Sequence, residues 1–565
     1  MIDINNFTFC YADDNKNALS EINLHVPEGS FIGLSGAQGS GKTSLLNALN
    51  GMIPRHIEGD YYGRVAIEGK DVLDMPPEEL FLKVGTVLQD IESQLIAAVV
   101  EDEILFGLEN FGIDKSEIEG RIVEALKETG IEDLRYRRIR DLSGGQKRKV
   151  AIASIIALRP KILLLDEPTG ELDPRSSEFI MQTLKELNRK FSMTIIVTEK
   201  KLALLCEYVS EIAILDKGNL TYFGKPKELL ASEILSEEIG LRIPKAAVLA
   251  KKLKEHGSYQ GEIPVSLDDS LVMLGRIKEK EFERKNTIEI LKRMERNCKK
   301  ADENLSSRRG APSVTANIAA HTVLELTNIG FSFPNLPIAG NVSFEINEGE
   351  FVVLLGENGA GKSTLLRLCN GLLKPTSGRV QAFGMDTTKT KTSTLAQDIG
   401  FLFQNPDRQL CQKTVKEEIT FGLTLKGIKD EVRVEQIIRE FGLNGEKDPF
   451  TLSRSERQLV ALASILVCEP KLLLLDEPTV GLDDKTAKNI METIQKLREQ
   501  GLSVLMITHD MELVYEYADR ALVLTDGEIV YDGGIEALMT NKEIMERASL
   551  LPAQIPALKA VLEGE

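Results

Sequence analysis

The sequence predicts an α/β protein with two domains of the same kind, each a mostly parallel sheet with helices on both faces. Its 565 residues exceed the size at which one hydrophobic core usually stops growing, about 250–300 residues. The same glycine-rich and acidic motifs occur twice, roughly 310 to 322 residues apart, which indicates an internal repeat. Apolar runs such as 31–35 and 162–167 alternate with helical stretches, as in parallel sheets buried on both faces.

Composition narrows the possible classes of protein. Apolar residues make up 42% of the chain, enough for packed cores, yet charged or helix-breaking residues interrupt every apolar run before it could span a bilayer. We therefore expect neither a membrane-spanning helix nor a secretory leader. The six cysteines show no metal-ligand spacing and indicate buried thiols of a cytosolic protein. The net charge of −18 disfavours a protein that coats nucleic acid, so we expect no nucleic-acid partner.

The repeat sets the expected domain boundaries. They are 1–240 for domain 1, 241–321 for a charged connector and extension, 322–545 for domain 2, and 546–565 for a C-terminal extension. Each copy opens with strand-like alternation, followed by a strand, a glycine-rich turn and a helix, at 2–9, 31–35, 36–41 and 42–50, and again at 323–333, 351–355, 356–361 and 362–370. The connector is basic over 276–309, with 12 Lys or Arg against 7 Asp or Glu. A solvated helix with a loose linker is its simplest interpretation, and contact with lipid headgroups or RNA is the alternative.

Both glycine-rich turns match the pattern G-x-x-x-x-G-K-[ST] and are called P-loops below. Glycines let backbone N–H groups curl around a phosphate at a helix N-terminus, where the helix dipole favours negative charge. The lysine of the pattern would reach the β- and γ-phosphates, and the hydroxyl after it would hold Mg²⁺. The residues expected at the phosphates are Gly36, Gly39, Ser40, Gly41, Lys42, Gly356, Asn358, Gly359, Ala360, Gly361, Lys362 and Thr364, with Thr43 and Ser363 at the metal.

Each copy also ends an apolar strand with two acids, Asp166 with Glu167 and Asp476 with Glu477. An Asp at the carboxyl end of a strand beside a P-loop is placed to hold the metal. The Glu that follows can orient or deprotonate an attacking water. A strand that ends in Asp-Glu is often structural on its own, and the neighbouring P-loop makes the functional interpretation the favoured one.

With these motifs in this order, the chain resembles a tandem ATP-binding-cassette (ABC) ATPase. The LSGGQ run at 142–146 is similar to the signature of that superfamily, the segment 478–483 to its D-loop, and His509 to its switch histidine. The likeness covers both halves and leaves the connector unmatched. It implies two P-loop NTPase domains of the ABC type that hydrolyse ATP with Mg²⁺, each with an added helical subdomain and a small antiparallel β-subdomain.

The resemblance also assigns roles to individual residues. Tyr11 and Phe333 match the aromatic residue that stacks on adenine, and Gln89 and Gln404 match the glutamines of the Q-loops. Further ATP contacts are expected from Gln89, Ser143, Gly144, Gly145, Gln146 and Ser453. Metal contacts are expected from Thr43, Gln89, Asp166, Ser363, Gln404 and Asp476. Catalytic roles are expected for Glu167, Gln404, Glu477 and His509.

A narrower resemblance follows each Q-loop glutamine. The segments 403–409 and 418–422, and more loosely 88–94 and 103–107, are similar to the ATPases of energy-coupling-factor and cobalt-type importers; Ile91 stands where that pattern has Pro. In that family two ATPases lie beneath an integral membrane subunit, which carries an exchangeable substrate-binding membrane protein for vitamins or transition metals. The resemblance therefore implies a peripheral protein at the cytoplasmic face of the membrane, with both ATPases fused in one chain.

The two copies differ in two motifs. The first reads LSGGQ at 142–146 and TEK at 198–200, while the second reads LSRSE at 452–456 and THD at 508–510. In the superfamily each ATP site joins the P-loop of one domain with the signature of the other. That pairing brings both departures into one site and leaves the other intact.

We therefore expect the site with the first P-loop to bind ATP and hydrolyse it slowly, and the site with the second P-loop to carry turnover. Glu199 is expected to repel the γ-phosphate where a histidine would donate a hydrogen bond. Arg454 and Ser455 are expected to crowd the phosphate where glycines allow close approach. The alternative is that Lys200 or a water molecule takes over the role of the histidine.

Two other functions suit a tandem ATPase of this kind. The main alternative is a soluble ABC protein that acts in translation on the ribosome. Those proteins usually carry Asn-His before the Leu-Asp of the D-loop, where this chain has Gly170-Glu171 and Val480-Gly481. A chromosome-structure or repair ATPase would separate its P-loop and signature by a long coiled coil, whereas Lys42 and Ser143 are 101 residues apart. Import is the favoured prediction.

Overall fold

The computed structural model describes residues 1–12, 14–170, 172–235, 239–298, 321–333 and 336–563. By its internal contacts the chain divides into two units, Met1–Thr287 with Asp483–Thr486, and Ile288–Leu482 with Ala487–Glu565. The first boundary falls inside the connector expected from the sequence. The four domain limits given above remain predictions.

The first unit contains two sheets. Its strands are β1 (Ile2–Tyr11), β2 (Asn17–Val26), β3 (Phe31–Ser35), β4 (Gly59–Ile67), β5 (Lys70–Asp71), β6 (Val84–Val87), β7 (Ile162–Asp166), β8 (Thr194–Thr198), β9 (Glu211–Asp216) and β10 (Asn219–Gly224). One sheet is antiparallel with the order β2-β1-β4-β5. The other has the order β10-β9-β3-β8-β7-β6 and is parallel except for the β9–β10 pair. Strands β3, β7 and β8 are buried at every residue, as central strands of a parallel sheet are.

The first ten α-helices of the described chain lie in the first unit. They are α1 (Lys42–Leu49), α2 (Met52–Arg55), α3 (Pro77–Lys83), α4 (Ile91–Gln94), α5 (Val100–Asn110), α6 (Lys115–Glu128), α7 (Gly144–Ile156), α8 (Pro174–Phe191), α9 (Leu202–Tyr208) and α10 (Pro226–Ala231). Helix α8 shows why the sequence folds this way. Its N-terminus is capped by the Asp173 side chain, and it buries Ile180, Leu184 and Leu187, which share one helical face.

The second unit repeats this plan. Its strands are β11 (Thr322–Phe333), β12 (Leu336–Asn347), β13 (Phe351–Leu355), β14 (Ser377–Ala382), β15 (Met385–Asp386), β16 (Ile399–Leu402), β17 (Leu472–Asp476), β18 (Ser503–Ile507), β19 (Arg520–Thr525) and β20 (Glu528–Gly534). The antiparallel sheet has the order β12-β11-β14-β15. The second sheet has the order β16-β17-β18-β13-β19-β20 and is parallel except for β19–β20. The predicted architecture, two α/β domains that each combine a mostly parallel sheet with an antiparallel one, is confirmed.

Between the two halves the described chain forms α11 (Lys245–Glu255), α12 (Leu267–Lys278) and α13 (Glu281–Cys298). The last part of α13 is more than a solvated helix, because Leu291 is fully buried and Glu295 accepts hydrogen bonds from Tyr515 and Lys559 within the second unit. Residues 299–309 of the basic stretch lie outside the described residues.

The helices of the second half are α14 (Lys362–Cys369), α15 (Thr392–Leu395), α16 (Val415–Leu425), α17 (Glu431–Glu440), α18 (Arg454–Leu466), α19 (Asp484–Arg498), α20 (Met511–Tyr517), α21 (Ile535–Thr540), α22 (Lys542–Arg547) and α23 (Gln554–Glu563). Among all the helices of the described chain, none is long and apolar enough to cross a membrane.

Strand register brings the predicted site residues to one edge of each parallel sheet. Strand β8 lies between β3, which leads into the first P-loop, and β7, which ends at Asp166. Asp166 pairs with Thr198 at the end of β8. In the second unit Asp476 pairs in the same way with Ile507 at the end of β18. The carboxyl edge of such a sheet is where ligands usually bind.

Candidate functional site

The first glycine of each P-loop packs directly against the backbone of a neighbouring strand end. Gly36 has φ of 151°, and a Cβ there would lie 2.1 Å from the carbonyl oxygen of Leu215. A Cβ at the equivalent Gly356 would lie 2.0 Å from the carbonyl oxygen of Leu524. Only glycine fits these two positions, because the loop packs directly against the neighbouring strand end. Each loop therefore forms a cradle whose open side is available to a phosphate.

A lysine ammonium lies in each cradle. The Nζ atom of Lys42 donates to the carbonyl oxygens of Gly36 and Ala37, both at 2.8 Å, and Lys362 donates to those of Gly356 and Glu357, both at 2.7 Å. Lys42 and Lys362 are each only 6% exposed. Burial lowers the pKa of Lys42 to about 8, partly offset by the nearby charges of Glu167 and Asp166.

This pKa predicts a pH dependence of nucleotide binding at the first P-loop. Anionic phosphates favour the charged ammonium, so binding should require proton uptake above pH 8, and affinity should fall by up to about tenfold per pH unit there. The measurement is calorimetric titration with Mg-ADP between pH 7 and 9.5, in a chain whose second P-loop is disabled by Lys362→Met. The matched variant Lys42→Arg keeps its charge over this range, so its profile should be flat. A flat profile with Lys42 present would contradict the prediction.

A hydroxyl and a carboxylate meet beside each P-loop. Thr43 donates from Oγ1 to Oδ2 of Asp166 at 2.8 Å, and Ser363 donates from Oγ to Oδ1 of Asp476 at 3.0 Å. Burial raises the pKa of both aspartates, and these hydrogen bonds oppose the shift. Hydroxyl and carboxylate oxygens are hard ligands of the kind Mg²⁺ prefers, and Mg²⁺ usually combines one or two of them with substrate phosphates. Both donor sets fit that metal.

The glutamate after each aspartate sits at a turn with positive φ, 48° at Glu167 and 52° at Glu477. In the second unit, Nε2 of His509 lies 3.2 Å from Oε1 of Glu477 and 3.0 Å from Oδ1 of Asn358. The histidine thus connects the acid at the strand end to the P-loop. A donor held at this place can stabilise charge that develops on a terminal phosphate.

The first unit surrounds its glutamate differently. Oε1 of Glu167 is paired with Nζ of Lys200 at 2.9 Å, and Oε2 accepts a hydrogen bond from Nε2 of Gln89 at 3.2 Å. Glu199, which replaces the histidine in sequence, is 3% exposed and bonds to the Thr169 hydroxyl. The expectation that Glu199 faces the phosphate is therefore wrong. Lys200, the predicted alternative to the histidine, is the residue paired with Glu167.

The signature residues begin helices α7 and α18 with a capping box each. Ser143 and Gln146 exchange backbone-to-side-chain hydrogen bonds in the first unit, as Ser453 and Glu456 do in the second. In the second unit the Ser453 hydroxyl also donates to the Glu456 carboxylate at 2.7 Å. The hydroxyl proton of Ser453 therefore points to Glu456 of the same helix.

Ser455 does not crowd the open side of the signature. Its side chain is buried, and Oγ donates to the carbonyl oxygen of Gly481 at 2.8 Å. The expectation that Ser455 projects toward the phosphate is wrong, because its hydroxyl is directed into the D-loop of its own unit. Arg454 is exposed at the helix start.

The remaining predicted residues are an aromatic residue and a Q-loop glutamine in each copy. The hydroxyl of Tyr11 lies 2.7 Å from Oγ of Ser44 in α1, which places the ring beside the first P-loop helix. Gln404 is exposed after β16, as Gln89 is after β6. Phe333 ends β11, and its side chain lies outside the described residues.

Comparison with known proteins decides the family. The sequence profile described as "ABC transporter" matches residues 19–170 and 339–480. A protein of Caldanaerobacter subterraneus subsp. tengcongensis named "Putative ABC transporter ATP-binding protein" is 36% identical over 98% of this chain and 95% of its own length. The chain belongs to the ABC transporter family. It is a tandem ABC ATPase.

Other relatives are similar over a comparable or smaller span. The Bacillus subtilis protein named "Putative HMP/thiamine import ATP-binding protein YkoD" is 34% identical over 97% of this ABC ATPase and 94% of its own length. Among solved structures, cbiO1 from Clostridium perfringens, described as part of the ABC transporter complex cbiONQ, is 31% identical. It covers 44% of this chain and 98% of its own, with a TM-score of 0.39.

Sequence reasoning missed one repeated feature of this ABC ATPase. The buried Glu103 accepts hydrogen bonds from the backbone amides of Ile96 and Ala97, and the buried Glu418 accepts them from Cys411 and Gln412. Each glutamate fixes the loop that follows the Q-loop segment. The signal was present in the sequence, since both glutamates open the repeated segments 103–107 and 418–422.

Proposed function

We propose that this tandem ABC ATPase is the energising subunit of a membrane importer of the energy-coupling-factor type, for a vitamin or a transition metal. The observation that carries the proposal is the similarity to the B. subtilis relative, whose name includes HMP/thiamine import and which matches along nearly its whole length. On this proposal the chain is held at the cytoplasmic face of the membrane by an integral membrane subunit. A substrate-binding membrane component completes the importer.

We further propose that the P-loop of each domain works with the signature of the other, as the superfamily resemblance implies. The second P-loop then works with LSGGQ at 142–146, and every expected motif of that site is present. The first P-loop works with LSRSE at 452–456 and lacks the histidine. The contacts of Glu167 support slow turnover there, because both of its carboxylate oxygens are engaged by side chains.

The residues of the second site suggest how turnover is divided among them. Lys362 would bind the phosphates, and Glu477 would orient or deprotonate the attacking water. Mg²⁺ would be held by Ser363, Asp476 and Gln404, and it supplies positive charge against the phosphate oxygens. His509 would donate toward the terminal phosphate from its position between the acid and the P-loop.

Exposed aromatic side chains offer a contact for a membrane subunit. Phe106 on α5 is 49% exposed and Phe421 on α16 is 39% exposed. Each lies three residues after the glutamate that fixes the loop following the Q-loop segment. Exposed apolar side chains near a Q-loop suit a protein partner that senses closure of the ATP site.

The test is co-purification of the tagged chain from detergent-solubilised membranes of its native cells. We expect an integral membrane protein to accompany the native chain, and we expect Phe106→Asp with Phe421→Asp to lose it. Tyr62→Asp is the matched control, because Tyr62 is 68% exposed on the antiparallel β4. ATP turnover of the isolated variants should stay within about twofold of native, since surface substitutions away from the site rarely disturb the fold. Recovery of ribosomes in place of a membrane protein would support the translation alternative and contradict import.

A further inference from the structure

The two copies differ in the side-chain contacts of three consecutive residues at the carboxyl end of β8 and of β18. The first copy has Thr198, Glu199 and Lys200 where the second has Thr508, His509 and Asp510. Alignment pairs Glu199 with His509 and suggests that a histidine has been replaced by an acid. The contacts indicate instead that a different one of the three residues contacts the strand-end glutamate in each copy.

In the second copy the last residue caps a helix. Oδ1 of Asp510 accepts hydrogen bonds from the backbone amides of Glu512 and Leu513 at the start of α20. In the first copy the corresponding helix α9 has no side-chain cap, and the middle residue binds the backbone ahead of that helix. Oε1 of Glu199 accepts from the amides of Lys200 and Lys201, and its other oxygen bonds to the Thr169 hydroxyl. Glu199 is thus a buried structural acid.

The side chain that contacts the glutamate at the strand end comes from the middle residue in the second copy and from the last residue in the first. Nε2 of His509 lies 3.2 Å from Glu477, and Nζ of Lys200 lies 2.9 Å from Glu167. Lys200 is 17% exposed in this pair. Its charge is also close enough to Lys42 to oppose that lysine's protonation, so both ammonium groups lie near one P-loop. The first site retains a hydrogen-bond donor at this place, supplied one residue later in the chain.

We propose that Lys200 is the residue of the first site that binds the terminal phosphate of a nucleoside triphosphate and distinguishes it from a diphosphate. The inference rests on the proposed function, in which the first P-loop binds ATP. A lysine ammonium is a mobile point charge with three donors. A γ-phosphate carries more negative charge than the single carboxylate of Glu167, so Lys200 turns to it when ATP is bound. With ADP, Lys200 stays paired with Glu167.

The test separates triphosphate from diphosphate binding at the first site alone. The full-length chain with Lys362→Met is titrated calorimetrically with Mg-AMP-PNP, a non-hydrolysable ATP analogue, and with Mg-ADP. Adding Lys200→Met should weaken AMP-PNP binding by about tenfold or more and change ADP binding less than about twofold, as expected when one charged hydrogen bond is lost. Lys200→Arg should keep most of the preference for the triphosphate.

Lys201→Met is the matched control in the same turn. The ammonium of Lys201 lies 3.4 Å from the Thr169 carbonyl oxygen and 3.3 Å from the Ser177 hydroxyl, so its contacts lie away from Glu167. Its loss should leave the affinities for both nucleotides within about twofold of the parent. Glu199→Gln should lower the melting temperature and leave the ratio of the two affinities unchanged, because Glu199 is buried against Thr169.

The outcomes distinguish this inference from the proposed function. If the Lys362→Met chain binds AMP-PNP but Lys200→Met weakens both nucleotides equally, or neither, the assignment of Lys200 is overturned and first-site binding stands. If the Lys362→Met chain folds and binds no nucleotide, the proposed first-site function fails, and the inference with it. Should Lys362→Met prevent folding, the same titration of the chain with native Lys362 resolves two classes of site. Only one of them should then respond to Lys200→Met.

Discussion

Glu477→Gln is expected to lower ATP turnover by the whole chain at least about 100-fold, in the range typical for loss of a general base. Glu167→Gln is expected to change it less than about twofold, since the proposed asymmetry assigns little turnover to the first site. The substitution keeps the shape of the side chain and removes its charge. Steady-state phosphate release with saturating Mg-ATP measures both variants.

The physical reason lies in the different surroundings of the two acids. Glu477 is next to His509, which lies between the acid and Asn358 of the P-loop, so the acid and the donor are arranged around one phosphate position. Glu167 is held by Lys200 on one oxygen and Gln89 on the other. A carboxylate that is engaged twice must release a partner before it can orient a water molecule.

Two further observations complete this test. The melting temperature of each variant should stay close to that of the native chain, and each should still bind Mg-AMP-PNP, which shows that turnover and not folding has changed. Equal loss of turnover in Glu477→Gln and Glu167→Gln would mean that both sites hydrolyse ATP. The proposed asymmetry would then be wrong.

Features that depend on backbone pattern were predictable from the sequence. Apolar strands such as β7 are expected at the centre of a parallel sheet, and a P-loop with three φ-positive glycines is expected between a strand and a helix. Because parallel strands end at one edge, placing Asp166 beside Thr43 required no knowledge of side-chain packing. The fold class and the pairing of hydroxyl with aspartate follow from these rules alone.

Features that depend on side-chain direction were not predictable in this way. Glu199 and Lys200 are neighbours in sequence, and only the packing against Thr169 decides which of them turns inward. Ser455 stands in a glycine position of the signature, yet a carbonyl oxygen of its own D-loop accepts its hydroxyl. Sequence comparison assigns a role to an aligned position, whereas the contact belongs to whichever side chain can reach it.

Exchange of the signatures is expected to have the second large effect. Gly144→Arg, Gly145→Ser and Gln146→Glu together convert LSGGQ into the LSRSE of the second copy. This chain should lose ATP turnover at least about 100-fold while it still binds Mg-AMP-PNP, because a preorganised phosphate contact typically contributes about 10²–10³ in rate. The acid is central to the expected loss. It would accept a hydrogen bond from the Ser143 hydroxyl, as Glu456 accepts one from Ser453, and would bring negative charge to the helix start.

The first unit can accept these side chains without refolding. A Cβ at Gly144 meets no atom within 4 Å, and a Cβ at Gly145 meets only the Leu172 side chain at 3.4 Å. The capping box is retained, because a glutamate accepts the same backbone hydrogen bond as Gln146. Loss of turnover with an unchanged melting temperature would therefore report on the ATP site.

The reverse exchange identifies which P-loop each signature serves. Arg454→Gly, Ser455→Gly and Glu456→Gln give the second copy an LSGGQ sequence. If the second P-loop works with the first signature, this change should cost no turnover, because the active site does not contain LSRSE. If each domain instead used its own signature, the forward exchange would leave turnover at Glu477 unchanged and the reverse exchange would raise it there. The two exchanges together test the cross-pairing independently of any change at Glu477 or Lys200.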